Sequence, residues 1–152
     1  MTSTPTKYPT LSPAFAVNDA VRALEFYRDA FGAAELFRLV DPESGKIGHA
    51  EMSVGDSVFM VSDEYPAFNK TPATLGGTSV RLSLIVGNVD AIVARAVAAG
   101  ATLQRPPTDQ FYGFRSASLL DPFGHEWIVQ HEIERVTPAE MQRRWDAMRK
   151  VY

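Results

Sequence analysis

The chain contains no cysteine among its 152 residues, so disulfides, thiolate metal ligands and a cysteine nucleophile are excluded. It also lacks any run of lysine and arginine, and its formal net charge of −3 leaves no electrostatic case for a nucleic-acid partner. No apolar segment approaches the roughly 18 residues of a membrane span, so no membrane association is expected. Met1 to Lys7 has no apolar stretch of the kind that makes a secretion signal, and residues 1–8 read as a loose tail. Histidine is scarce, which confines imidazole chemistry to His49, His125 and His131. What remains is 45% hydrophobic and 22% charged, the balance of a globular protein, expected in the cytoplasm. The length suits one domain, or two small modules sharing a core.

Hydrophobic spacing divides the chain into alternating elements. Leu11 to Val17 reads as a strand, and Asn18-Asp19 caps a helix over residues 20–31 that Gly32 ends. Strands follow at 34–39, 47–54 and 57–62. Residues 64–78 carry Pro66, Pro72, Gly76 and Gly77 and read as a linker. The order then repeats: a strand at 80–86, a helix at 89–99, a strand at 101–105, an aromatic loop at 106–113, and a hairpin of 115–120 and 126–131. In the hairpin turn, Asp121-Pro-Phe-Gly124 combines an aspartate that bonds nearby backbone with a glycine free to adopt unusual φ. Val17 and Val86 end the first strand of each half (86 − 17 = 69), and Gly55 and Gly124 sit in the last turns (124 − 55 = 69). A period this long, seen twice, is a duplicated βαβββ module and not a solenoid. The fold class is therefore α+β, with modules at 9–63 and 79–135 and a C-terminal helix within 136–152. That helix begins with the threonine cap, proline and glutamate of Thr137-Pro138-Ala139-Glu140. It carries one stripe of Met141, Trp145, Met148 and Tyr152, which should dock on the domain or on a second copy.

Each helix can cover one face of its sheet, leaving the opposite faces to form a cup for a small molecule. If Ala50, Met52 and Val54 pack on the helix, then His49, Glu51 and Ser53 face the cup. Ser12, Ala14, Phe59, Val61, Arg81, Ser83 and Ile128 are expected to join them. His49 and Glu51 stand two apart on one face, where the carboxylate can orient the imidazole. They form an acid–base pair, an unconventional metal site, or a structural pair at a sheet rim or dimer contact. Arg81 could hold an anionic or carbonyl group. Phe111, Tyr112, Phe114 and Arg115 crowd one loop, as a pocket wall with a cationic contact or as a plug against the barrel end or a partner. Tyr65 and Phe68 in the linker carry the same two readings. His125, in a turn, and His131, on the Trp127 face, read as structural.

Phe26 to Ala33 (Phe-Tyr-Arg-Asp-Ala-Phe-Gly-Ala) after a capped helix resembles the vicinal oxygen chelate superfamily, which groups glyoxalases, bleomycin-resistance proteins and extradiol dioxygenases. Residues 48–57, 109–115 and 121–127 resemble its PhnB-like branch. The resemblance implies the cup, a homodimer, and catalysis or sequestration within the cup. It also implies that metal ligands, where relatives have them, come from the first and last strands of each module. Those positions are Ser12 and Arg81, and Phe59 and Ile128. A hydroxyl, a guanidinium, a phenyl ring and an alkyl chain are a poor donor set for a divalent ion. The expectation is a metal-independent cup, with no cofactor, that binds a small, partly aromatic organic molecule such as an antibiotic or a pathway intermediate. Two alternatives stand. One is an enzyme: a lyase or isomerase using His49 and Glu51, or a metal-dependent lyase or dioxygenase with unorthodox ligands. The other is a dimeric interaction module without a ligand.

Overall fold

The computed structural model describes residues 8–149; the expected tail at Met1 to Lys7, and Tyr152 of the C-terminal stripe, lie outside them. Two modules repeat one order. The first runs β1 (Ala14–Val17), α1 (Ala20–Phe31), β2 (Ala34–Val40), β3 (Ile47–Val54) and β4 (Ser57–Asp63). A short helix, α2 (Pro72–Leu75), interrupts the linker. The second runs β5 (Arg81–Ile85), α3 (Val89–Ala98), β6 (Thr102–Asp109), β7 (Phe114–Leu120) and β8 (Glu126–Glu132), and α4 (Pro138–Arg149) follows. The sheets have strand orders β1-β4-β3-β2 and β5-β8-β7-β6 and stay open. No helix among the described residues is long and apolar enough to cross a membrane.

The helix starts show how the duplication was kept while its chemistry diverged. Asp19 caps α1 by accepting from Arg22 N, and Asn88 caps α3 by accepting from Ala91 N. A second acceptor reaches each helix from the end of the neighbouring strand, β4 or β8. Asp63 Oδ1 accepts from Ala20 N at 2.9 Å, whereas in the second module His131 Nδ1 accepts from Val89 N at 3.1 Å. His131 therefore serves structure, with its Nδ1 unprotonated. Asp63 also accepts from Ile47 N at 2.7 Å.

Several element boundaries differ from the sequence reading: β1 begins at Ala14 instead of Leu11, and two larger differences have a physical basis. The strand expected to stop at Arg105 continues through Pro106 and Pro107 to Asp109. It can do so because β6 is an edge strand, with register shifts on either side of Arg105. The linker also holds a helical turn, which begins at Thr71, whose hydroxyl accepts from Thr74 N at 3.2 Å.

One core serves both modules. Phe15, Tyr27, Phe31 and Phe59 from the first meet Trp127 from the second, with ring centroids 4.7–6.4 Å apart. Each such pair adds about 0.5–1.5 kcal/mol beyond area burial. The helix-covered faces of the two sheets are thus turned toward one another, and the open faces are turned outward. At the centre lies Asp121, buried, with its carboxylate accepting four hydrogen bonds. Tyr27 Oη donates at 2.6 Å and Trp127 Nε1 at 3.0 Å, while the amides of Phe123 and His125 donate at 2.9 and 3.0 Å. Burial, then the charge of Asp121 and the bond to it, push the Tyr27 phenol well above its ordinary range, so it stays a donor.

Asp121→Ala strands the Tyr27 and Trp127 donors and should cost about 3 kcal/mol or more, whereas Tyr27→Phe should cost about 1–2 kcal/mol. Urea unfolding with an unchanged m-value is the check; an Asp121→Ala midpoint equal to wild type would contradict the assignment.

Candidate functional site

The open face of the first sheet presents Ala14, Ala16, His49, Glu51, Met60 and Ser62, as the pairings Ala14 with Met60 and Glu51 with Met60 require. A cavity of about 520 Å³ lies over this face. Its floor is Ala14, Ala16, His49, Met60 and Ser62, and its roof is the linker from Phe68 to Thr78. The roof is tied down at several points. Asn69 Oδ1 accepts from Tyr65 N at 2.7 Å, and Asn69 Nδ2 donates to Ser62 Oγ at 3.0 Å. Glu64 accepts from Thr71 N and from the Thr74 hydroxyl, both at 2.7 Å, and these bonds hold its carboxyl below the usual range. Gly124 of the second module adopts φ +92°, and a Cβ there would lie 2.7 Å from Pro72 Cβ, so the turn closes directly against the roof. His125 completes the wall and donates from Nε2 to the Ala16 carbonyl at 2.8 Å.

Within this face His49 Nε2 donates to Glu51 Oε2 at 2.8 Å, and Tyr8 Oη donates to Glu51 Oε1 at 2.7 Å. Glu51 is buried, and that burial pushes its carboxyl up, but the bonds from His49 and Tyr8 and the attraction of His49 outweigh it. The net shift is downward, so Glu51 is an anion that orients the imidazole. The same bond, then desolvation and the carboxylate charge, raise the Tyr8 phenol. His49 Nδ1 has no partner among the described residues, which leaves one ring nitrogen for a ligand. Phe37 flanks the imidazole, with ring centroids 5.7 Å apart.

Phe59 does not face the cup. It pairs with Met52 and is buried against Tyr27 and Trp127. Val61, paired with Ala50, shares that face. The 69-residue offset that placed Phe59 fails in the last strands. Met52 pairs with Phe59 as Leu119 pairs with Trp127, an offset of 68 (127 − 59 = 68). The first hairpin closes from Val54 to Ser57 and the second from Leu120 to Glu126, and a one-residue slip reverses a strand's faces. The counterpart of Ile128 is therefore Met60. Ser12 precedes β1, half-buried.

The open face of the second sheet carries Arg81, Ser83, Ser118, Glu126 and Ile128, fixed by the pairings Arg81 with Glu126, Ser83 with Ile128 and Ser118 with Ile128. Phe114 and Tyr112 stand at its end, and the Tyr112 hydroxyl lies 3.4 Å from Ser116 Oγ. Phe111 packs on Trp145 of α4, and Arg144 donates to the Phe111 carbonyl at 2.8 Å, so the aromatic loop is partly a docking point for α4. Arg115 is taken up elsewhere, by a two-bond pair with Asp90 at 2.8 and 3.0 Å and a bond to Asp109 at 2.9 Å.

A divalent ion at the first- and last-strand positions would meet Ser12 or Ala14, Met60, Arg81 or Ser83, and Ile128. A thioether, an alkyl chain, hydroxyls and a cation do not fit it. Among the described residues no three His, Asp or Glu side chains gather as a metal cluster. Sequence reasoning missed Tyr8, Met60 and the roof residue Asn69. Only Met60 carried a signal, through the unequal hairpin turns; the other two depend on where a tail and a loop cross the sheet.

Residues 11–129 match the family model described as the Glyoxalase/Bleomycin resistance protein/Dioxygenase superfamily. The protein Rv0887c of Mycobacterium tuberculosis is 40% identical over 138 residues, spanning 88% of this chain and 81% of that protein. The solved structure of the Arabidopsis thaliana gene product At5g48480 is 28% identical, with a TM-score of 0.65, covering 81% of this chain and 98% of that one. A PhnB protein from Bacillus cereus, 16% identical with a TM-score of 0.60, shares the fold over 81% of this chain and 99% of its own.

Because Glu51 titrates below its ordinary value in the fold, its stabilising contribution is complete above about pH 4.5 and is lost as pH falls through the lowered value. Tyr8→Phe removes one of the bonds that lower it. The carboxyl titration, followed by carbon NMR, should move up toward 4.5; an unmoved titration would mean that Tyr8 does not engage Glu51.

Proposed function

The chain belongs to the glyoxalase/bleomycin resistance protein/dioxygenase superfamily, and on that premise we propose that it binds a small, partly aromatic organic molecule over the open face of its first module, without a metal ion. The observation that carries this reading is the cavity of about 520 Å³ with His49 in its wall, a volume that suits a small-molecule ligand. Ala14, Ala16, Met60 and Phe68 supply apolar contact, while His49, Asn69 and Lys70 supply polar anchors. Met60 adapts to irregular shapes because its side chain is unbranched and polarizable. The metal-free reading rests on the donor chemistry of the strand positions.

A second reading, acid–base turnover of the bound molecule, is favoured by the chain of Tyr8, Glu51 and His49. Glu51 holds the Nε2–H tautomer and would stabilise the imidazolium formed when Nδ1 takes a proton from the ligand. Tyr8 occupies the other carboxylate oxygen and keeps it from rotating. In an isomerase step the imidazolium would return the same proton to another atom of the ligand; in a lyase step it would protonate the leaving group.

The outward-turned faces suggest how the site is finished. Leu39 on the first open face is 59% exposed, and Ile85 on the second is 66% exposed. A second copy that lays its second sheet over the first sheet of this chain would cover both residues and enclose the cavity. Sedimentation should then give twice the 16.7 kDa chain mass. Ile85→Glu should return the protein to a monomer and weaken ligand binding; a monomeric wild type would overturn the two-copy site.

Substituting His49 separates the two functional readings. Under sequestration, His49→Gln should leave the affinity of a captured ligand within about threefold of wild type, a change below about 1 kcal/mol. Under turnover, His49→Gln and Glu51→Gln should each reduce the rate by about 100-fold or more while binding survives. Calorimetry and a turnover assay on the same ligand distinguish them.

A further inference from the structure

A second, smaller concavity of about 270 Å³ lies on the second sheet, lined by Arg81, Gln104, Arg105, Ser118, Glu126 and Trp127. The register explains the grouping. Arg81 on β5 pairs with Glu126 on β8, and Arg105 on β6 pairs with Ser118 on β7. The strand order β5-β8-β7-β6 therefore puts one arginine on each edge strand and the serine and glutamate on the two central strands. Among the described residues neither Arg81 nor Arg105 forms an ion pair or hydrogen bond through its guanidinium. The arginines at the opposite end of this sheet do: Arg115 is held by Asp90 and Asp109, and Arg144 by Glu134 and Glu140. Glu126, although it stands beside Arg81, is likewise unpaired among the described residues.

We propose that this trough is a binding site for the carboxylate group of a small organic acid, gripped between the Arg81 and Arg105 guanidiniums with Ser118 and Gln104 as further hydrogen-bond donors. Two planar guanidinium forks match a planar carboxylate, and each can donate two parallel bonds. Glu126 sets the selectivity. Two cations and one anion leave a single positive charge, which suits a monoanion and disfavours a phosphate dianion set close to the Glu126 carboxylate. The concavity, about 270 Å³ and open to solvent, has room for a carboxylate with a small body attached. The inference deepens the ligand-binding reading above and rests on it, because it names the charge class of the molecule that the open faces receive.

Amide and guanidinium NMR of the ¹⁵N-labelled full chain, titrated with benzoate, with its neutral isostere benzamide and with inorganic phosphate, tests the site. Benzoate should shift the Arg81, Arg105 and Ser118 resonances and bind at least tenfold more tightly than benzamide. Arg81→Met and Arg105→Met should each weaken benzoate tenfold or more. Both side chains are exposed, so the folded spectrum is expected to persist in either variant. Glu126→Gln should strengthen phosphate binding. Equal binding of benzoate and benzamide, or unchanged benzoate affinity in both arginine variants, overturns the proposal. Benzoate shifts that cluster around His49, with an affinity unchanged in both arginine variants, would also overturn it while leaving the first-module cavity intact. Benzoate binding at neither place would count against both.

Discussion

The structure depends most on the Asp121 carboxylate. It is a buried anion whose oxygens accept from a tyrosine of one module, a tryptophan of the other and two amides of its own turn. A buried charge is tolerated only when it is hydrogen-bonded this completely. Because Tyr27 comes from α1 and Trp127 from β8, the requirement can be met only when the two halves are docked. The anion thus converts a non-directional hydrophobic contact between modules into one defined geometry. The turn that holds it also positions Gly124 against the roof of the cavity and His125 against the Ala16 carbonyl.

Docking by the helix-covered faces has a functional corollary. Both open faces point outward, and each carries its own chemistry. The first has a roofed cavity with an imidazole that is backed by a carboxylate and a phenol, and the second has a shallow trough rimmed by arginines. In a two-copy assembly of the kind proposed, the imidazole of one copy and the guanidiniums of the other would look into one enclosed space. Duplication then supplies two walls free to specialise, since neither has to preserve the contacts that hold the chain together.

The fold was largely legible from residues alone. Asn18-Asp19 marked the start of the first helix and Gly32 its end, and the alternation of Ile47 to Val54 identified which side of β3 is buried. The pairing of His49 with Glu51 followed from their spacing of two. The last strand of the first module was misread because a constant offset was carried across hairpins of unequal length, and in a strand an error of one residue inverts every side chain. Tyr8 and the linker roof were not legible for a different reason. Their positions come from long-range packing of segments without periodicity, and no local pattern says where such a segment crosses a sheet. The cap supplied by His131 was hidden in the same way, since in the first module an aspartate does that work.

The close approach of Gly124 to Pro72 makes the cavity roof and the Asp121 turn one mechanical unit. Trp127 does not line the cavity floor, yet its indole is bonded to the carboxylate of that turn. An occupant that lifts the roof therefore disturbs the electrostatic surroundings of an indole on the far side of the sheet. For an occupant of the roofed cavity, whose lining does not include Trp127, the indole would respond through the turn and not through contact.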